Sequence, residues 1–144
     1  MYRFSRSAAL PIVMAVAALA GCGGTSATGG QPPPGQLERS GPHGALSVVL
    51  TPLGAQRTSI QTAVAAPAGR GQTVVPYSAL LYQPDGSTVI YTVTGPLTYT
   101  LATVSVASIQ GNQIYLTGLA PGASVVTVGG EELLGVQDGV GTQT

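Results

Sequence analysis

From residue 45 onward stretches of the chain alternate hydrophobic and polar positions with a period of two, and no window sustains apolar residues at helical spacing. Leu46, Val48 and Leu50 alternate with polar or smaller residues. After Pro52-Leu-Gly-Ala-Gln-Arg interrupts, Ile60, Thr62 and Val64 resume the alternation, which predicts two strands around a short turn or helical turn. Pro84-Asp85-Gly86-Ser87 separates apolar runs at 74–82 and 89–93, a strong hairpin signal. Gly111-Asn112 separates 104–109 from 114–116 as a second hairpin. Pro121-Gly122 offers the second and third positions of a type II turn, joining 114–119 to 125–128 as a meander. Tyr99 and Leu101 lie on one parity, Val104 and Val106 on the other, so a bulge is expected near Ala102. Val, Thr, Ile and Tyr with frequent Gly and Pro complete the picture of an all-β fold, a small single-domain antiparallel β-barrel or sandwich over residues 45–140.

The N-terminal portion follows a different pattern. Arg3 and Arg6, with no acid nearby, lead into an apolar run at 8–20 that is short for a bilayer span. It ends in Leu19-Ala20-Gly21-Cys22, which resembles the lipobox of bacterial lipoproteins. The resemblance implies a signal peptide over 1–21, cleavage between Gly21 and Cys22, and a covalent diacylglycerol and acyl lipid on Cys22, the chain's single cysteine. Such a lipid anchors stably, at about 0.8 kcal/mol per buried methylene. The protein is then extracytoplasmic, held on the outer face of the cytoplasmic membrane or the periplasmic side of a membrane in a diderm host. Residues 22–44 hold Gly, Ser, Thr and Pro with little to bury and read as a lipidated flexible linker. About twenty such residues span about 25 Å as a coil. Residues 141–144 read as a disordered tail.

Charge narrows the function classes. Without residues 1–21 the chain keeps three arginines against five acids, a net charge near −2, and it has no lysine. A basic footprint for nucleic acid is missing. With Cys22 acylated, no thiol remains for a disulfide, a thiolate metal site or a nucleophile.

Within 45–140 the residues resemble a known family. Residues 47–64, beginning Ser-Val-Val-Leu-Thr-Pro-Leu-Gly-Ala-Gln-Arg, look like the opening segment of periplasmic adaptor subunits, the membrane fusion proteins of RND-type efflux systems. Val75-Pro76-Tyr77, Pro84-Asp85-Gly86, Gly95-Pro96-Leu97, Pro121-Gly122 and Val125-Val126-Thr127-Val128-Gly129-Gly130 resemble the family's closing segment, in order. In full adaptors these ends are separated by a β-barrel, a lipoyl-like domain and usually a helical hairpin; here only residues 65–73 intervene. The resemblance therefore implies the membrane-proximal domain alone. It carries over transporter docking, and it carries over neither contact with an outer-membrane channel nor any catalytic residue.

Candidate chemistry is sparse. His43, the single histidine, sits at the linker's end with no second His to share a metal, and reads as solvated loop before surface ligand or pH-sensitive contact. Glu131 and Glu132 are adjacent, so on a strand they would point to opposite faces, as a solvated terminus or a partner contact. Tyr77, Tyr82, Tyr91, Tyr99 and Tyr115 fall on expected strands, where half-buried packing competes with a docking role. Arg57 and Arg70 bracket the second strand as surface charges. Ser and Thr residues lack a base to activate them. Arg57, Tyr82, Glu131 and Glu132 are the candidate partner contacts. The expectation is a non-enzymatic, lipid-anchored accessory module for an RND or ABC transporter, without metal or further cofactor, with self-assembly left open. A small-ligand or metal-ion binding lipoprotein and a truncated duplicate are the competing readings.

Overall fold

Two central strands carry apolar residues at consecutive positions, so both of their faces need cover. Val89, Ile90, Tyr91, Val125 and Val126 are each at most 2 % exposed. The computed structural model describes residues 32–39 and 45–139, so Gly21, Cys22, His43 and the 141–144 tail lie outside the described residues. In chain order the elements are β1 (Gly35–Arg39), β2 (Leu46–Leu50), α1 (Pro52–Thr58), β3 (Gln61–Val64), β4 (Ala66–Gly69) and β5 (Gln72–Pro76). A 3-10 turn (Tyr77–Ala79) precedes β6 (Leu81–Tyr82), β7 (Thr88–Gly95), β8 (Thr98–Thr103), β9 (Ser105–Gln110), β10 (Gln113–Thr117), β11 (Ser124–Val128) and α2 (Gly130–Gln137).

The strands form two antiparallel sheets without closing a barrel, as expected of an all-β chain. The first runs β1-β2-β8-β7-β11-β3, with β6 also paired to β7; the second runs β4-β5-β10-β9. Ile90 and Val125 point from the first sheet toward the second, joining Val75, Ile114 and Leu116 in one apolar cluster. Tyr91 and Val126, their chain neighbours, point the other way and pack with Val48, Leu50, Tyr99 and two residues of α2, Leu133 and Val136. The first sheet is thus the middle layer, with the second sheet on one face and the helices on the other. Burying each such side chain is worth about 1.5–3 kcal/mol.

Several sequence expectations need correction. The run at 74–82 is not one strand: the 3-10 turn splits it, β5 joining the second sheet and β6 the first. The hairpin at Pro84-Asp85-Gly86-Ser87 forms, pairing Tyr82 with Thr88, and β9–β10 turns at Gly111-Asn112. At Pro121-Gly122 the type II geometry is present, with Gly122 at φ 85° and the Ala123 N–H donating to the Ala120 carbonyl at 3.3 Å. That turn changes sheets instead of closing a meander, because β10 and β11 belong to different sheets. No bulge occurs at Ala102, which pairs in register with Ile90. The parity change there marks the passage from β8 to β9 through buried Val104, tied to Thr88 by a backbone bond of 3.0 Å and a hydroxyl bond of 2.6 Å. The bulge in that pair lies at Thr94, between Val93 and Gly95.

The linker read through residue 44 also ends sooner. Gly35–Arg39 is an edge strand on β2, held by backbone pairing, with only Gly35 buried. Its entry is clamped by α1. Thr51 caps that helix, its hydroxyl oxygen accepting from the Gly54 N–H at 3.0 Å, while the Thr51 N–H donates to the Pro34 carbonyl at 3.0 Å. Gly54 is buried so closely under this crossing that a Cβ would fall on the Pro34 carbonyl oxygen. Gly54→Ala should therefore lower stability by about 2 kcal/mol or more in chemical denaturation. Gly95→Ala, whose Cβ would meet only Thr98 at 3.6 Å, should stay near the wild-type value. Equal effects of the two substitutions would contradict the clamp.

Candidate functional site

α2 was missed by periodicity because it offers only Leu133 and Val136 as fully inward residues. It forms because Gly129 accepts a left-handed φ of 86° at the N-cap and because Glu131 and Glu132 place two carboxylates in the first turn, where the helix dipole favours them. A Cβ on Gly129 would come within 2.6 Å of Ile60 Cδ1, so glycine also lets the turn approach the connection between α1 and β3. The glutamates are therefore not on opposite faces of a strand; both are exposed at one helix start.

That start lies between two depressions. One, about 510 Å³, is lined by Arg57, Glu131 and Glu132 around Pro34, Gly135 and Val136. Arg57 reaches it from the last turn of α1. The other, about 380 Å³, shares Glu131 and Glu132 and is bounded by Tyr77, Ser78 and Leu81. Tyr82, 58 % exposed, stands beside Tyr77, whose hydroxyl is the main reason the Tyr82 phenol sits above its ordinary pKa. Arg57, Glu131 and Glu132 thus line one depression, although 74 residues separate the first two, whereas Tyr82 lines neither and meets the second only through Tyr77. Pro34 and Val136 line the first depression as well, and composition gave them no signal. Arg70 lies elsewhere, exposed at φ 53° in the β4–β5 turn.

The arrangement juxtaposes one guanidinium and two carboxylates over an apolar floor. Among the described residues no group of three or more His, Cys, Asp or Glu side chains is placed to hold a metal ion, and no helix is long and apolar enough to cross a membrane.

The tyrosines divide by role. Tyr77 and Tyr82 are exposed, whereas Tyr91 is wholly buried and Tyr99 is 7 % exposed. The Tyr91 hydroxyl donates to Gln137 Oε1 at 2.9 Å, fastening α2 to β7. Burial, with Asp138 adding a smaller effect, pushes the Tyr91 phenol well above its ordinary range. The folded protein keeps this proton where the unfolded chain releases it, above about pH 10. The stabilisation from this group is full below that pH and falls as pH rises further. Urea denaturation should show that decline in the native chain and a shallower one in Tyr91→Phe, which also loses about 0.5–1.5 kcal/mol at neutral pH. Identical alkaline slopes would remove Tyr91 from this role.

Set against known proteins, the chain finds no counterpart: no protein-family model matches it, and no curated protein or solved structure does.

Proposed function

We propose that this protein is a lipid-anchored, extracytoplasmic accessory module that docks on a membrane transporter of the RND or ABC type and catalyses no reaction. The observation that carries the reading is the gathering of Arg57, Glu131 and Glu132 around Pro34, where the chain arrives from Cys22. The residues between Cys22 and Pro34 reach at most about 40 Å when fully extended. An anchored Cys22 therefore keeps this charged, Tyr-flanked face close to the membrane, within range of a membrane-embedded partner.

The adaptor resemblance fits the topology. Strands from the family-like opening segment and from the closing segment share one sheet, β2 beside β8 and β3 beside β11. A domain assembled from two chain ends is thereby able to close without the modules that the family inserts between them. The short β4–β5 hairpin stands at that junction.

A second reading, extracytoplasmic binding of a small ligand, draws on the volume of the larger depression, which falls within the roughly 300–1,000 Å³ typical of ligand sites. Its mark would be a rise in melting temperature with added solute or metal. Indifference to a broad panel would retire it.

Docking is tested by affinity purification of the full chain from detergent-solubilised membranes. An RND or ABC transporter should be recovered and identified by mass spectrometry, and reversing both charges, Glu131→Lys with Glu132→Lys, should cut its recovery several-fold. Recovery of no transporter, or recovery unchanged by the reversal, overturns the reading. In the same preparation Cys22→Ser should move the protein to the soluble fraction; continued membrane retention would show a different attachment.

A further inference from the structure

Among the described residues, the free edges of the two sheets are not alike. β1 carries Glu38 and Arg39, β4 carries Pro67, and β3 has only four residues before it runs through buried Ala65 into β4. Charge, proline and shortness are the devices that keep edges from pairing with other chains. β9, at the end of the second sheet, has six residues, Ser-Val-Ala-Ser-Ile-Gln, with no charge and no proline. The other strands of its sheet, β4, β5 and β10, are also uncharged.

β9 does contain a bulge. Val106 pairs with Leu116 and Ser108 with Tyr115, so Ala107 is the extra residue. The bulge has a consequence for the side chains. Ile109 pairs with Ile114 and Val106 with Leu116, and both of those β10 residues are fully buried. Directly paired residues point to the same face of a sheet. Val106 and Ile109, three positions apart, therefore both face inward, where a regular strand would alternate them. Val106 packs on the core, while Ile109 is left 51 % exposed at the rim.

We infer that two copies of this chain pair through β9, antiparallel about a two-fold axis, with Val106 of each opposite Ile109 of the other. In that register Ser105 meets Gln110 of the second copy, and Ala107 meets Ser108. A regular strand laid on this edge matches one of the two inward residues and presents the wrong face to the other. A second β9, carrying the same bulge, matches both, covers Ile109, and brings no like charges together. The bulge that discourages general strand addition thus selects for a second copy. The inference is independent of transporter docking.

A six-residue strand pair is small beside the roughly 1,200 Å² or more of stable complexes, so a covalent trap is the suitable readout. Opposed residues lie about 4.5–5.5 Å apart, within disulfide reach. Full-length Ala107→Cys and Ser108→Cys chains, mixed and oxidised, should give a disulfide-linked dimer several-fold above the native chain, which sets the background. Mixed Ser105→Cys and Ala107→Cys chains, out of register, should stay near that background. Adding Ile109→Lys, which sets a charge against Val106 of the second copy, should abolish the dimer. All these positions except Val106 are exposed, so the fold tolerates the substitutions. A mixed pair no better than the out-of-register pair, or one insensitive to Ile109→Lys, overturns the proposal. Sedimentation of the native chain gives a second check: its weight-average mass should rise with concentration, and a constant monomer mass across the range also overturns it.

Discussion

Burial on both faces of β7 and β11 is the constraint from which the rest of the structure follows. Ile90 beside Tyr91, and Val125 beside Val126, send apolar side chains in opposite directions from adjacent residues, all at most 2 % exposed. A two-layer sandwich would leave one of those directions wet. The chain meets the demand with the second sheet on one side and α2 on the other, and α2 is long enough to lay down Leu133 and Val136. Tyr91 adds a directional element to this nonspecific packing, because its hydroxyl needs the Gln137 acceptor that only the docked helix supplies.

A second fastening connects the chain's entry to the same helical layer. The Pro34 carbonyl accepts from both the N–H and the hydroxyl of Thr51, the residue that also caps α1. One threonine thereby fixes where the upstream chain arrives and where the helix begins. This is why Pro34, Arg57 and the α2 glutamates end up around one depression, though they come from three separate stretches of chain.

What was legible in the sequence and what was not divides along the range of the forces. Turn chemistry is local, so Asp85-Gly86, Gly111-Asn112 and Pro121-Gly122 marked real turns. Which sheet each flanking strand joins is a nonlocal matter, so a turn joining two sheets read as a meander and a crossing at Val104 read as a bulge at Ala102. β1 left no trace in the pattern because backbone pairing holds it: four of its five residues are exposed. α2 was too short for periodicity to register. Arg57, Tyr82, Glu131 and Glu132 stood out as charged or aromatic residues in a chain with only 7 % charge, but the nearness of Arg57 to the glutamates required the packing of α1 and α2. Cys22 is different again, since its reading rests on local sequence alone and the described residues neither add to it nor subtract from it.

The layer order also separates the two surfaces. The charged face belongs to α1 and α2, which cover one side of the first sheet, and β9 belongs to the second sheet on the other side. Packed sheets lie about 10 Å apart, and a helical layer adds a comparable distance. Sites that far apart with no shared contacts have nearly additive energetics. Charge is partitioned accordingly: the strands of the second sheet carry none, with Arg70 confined to the β4–β5 turn, while Arg57, Glu131, Glu132 and Asp138 collect at the helices. The helical side thus carries charge that the strands of the second sheet lack, so the two sides are chemically different surfaces. Engagement of the helical face need not compete with pairing along β9, because the first sheet stands between them.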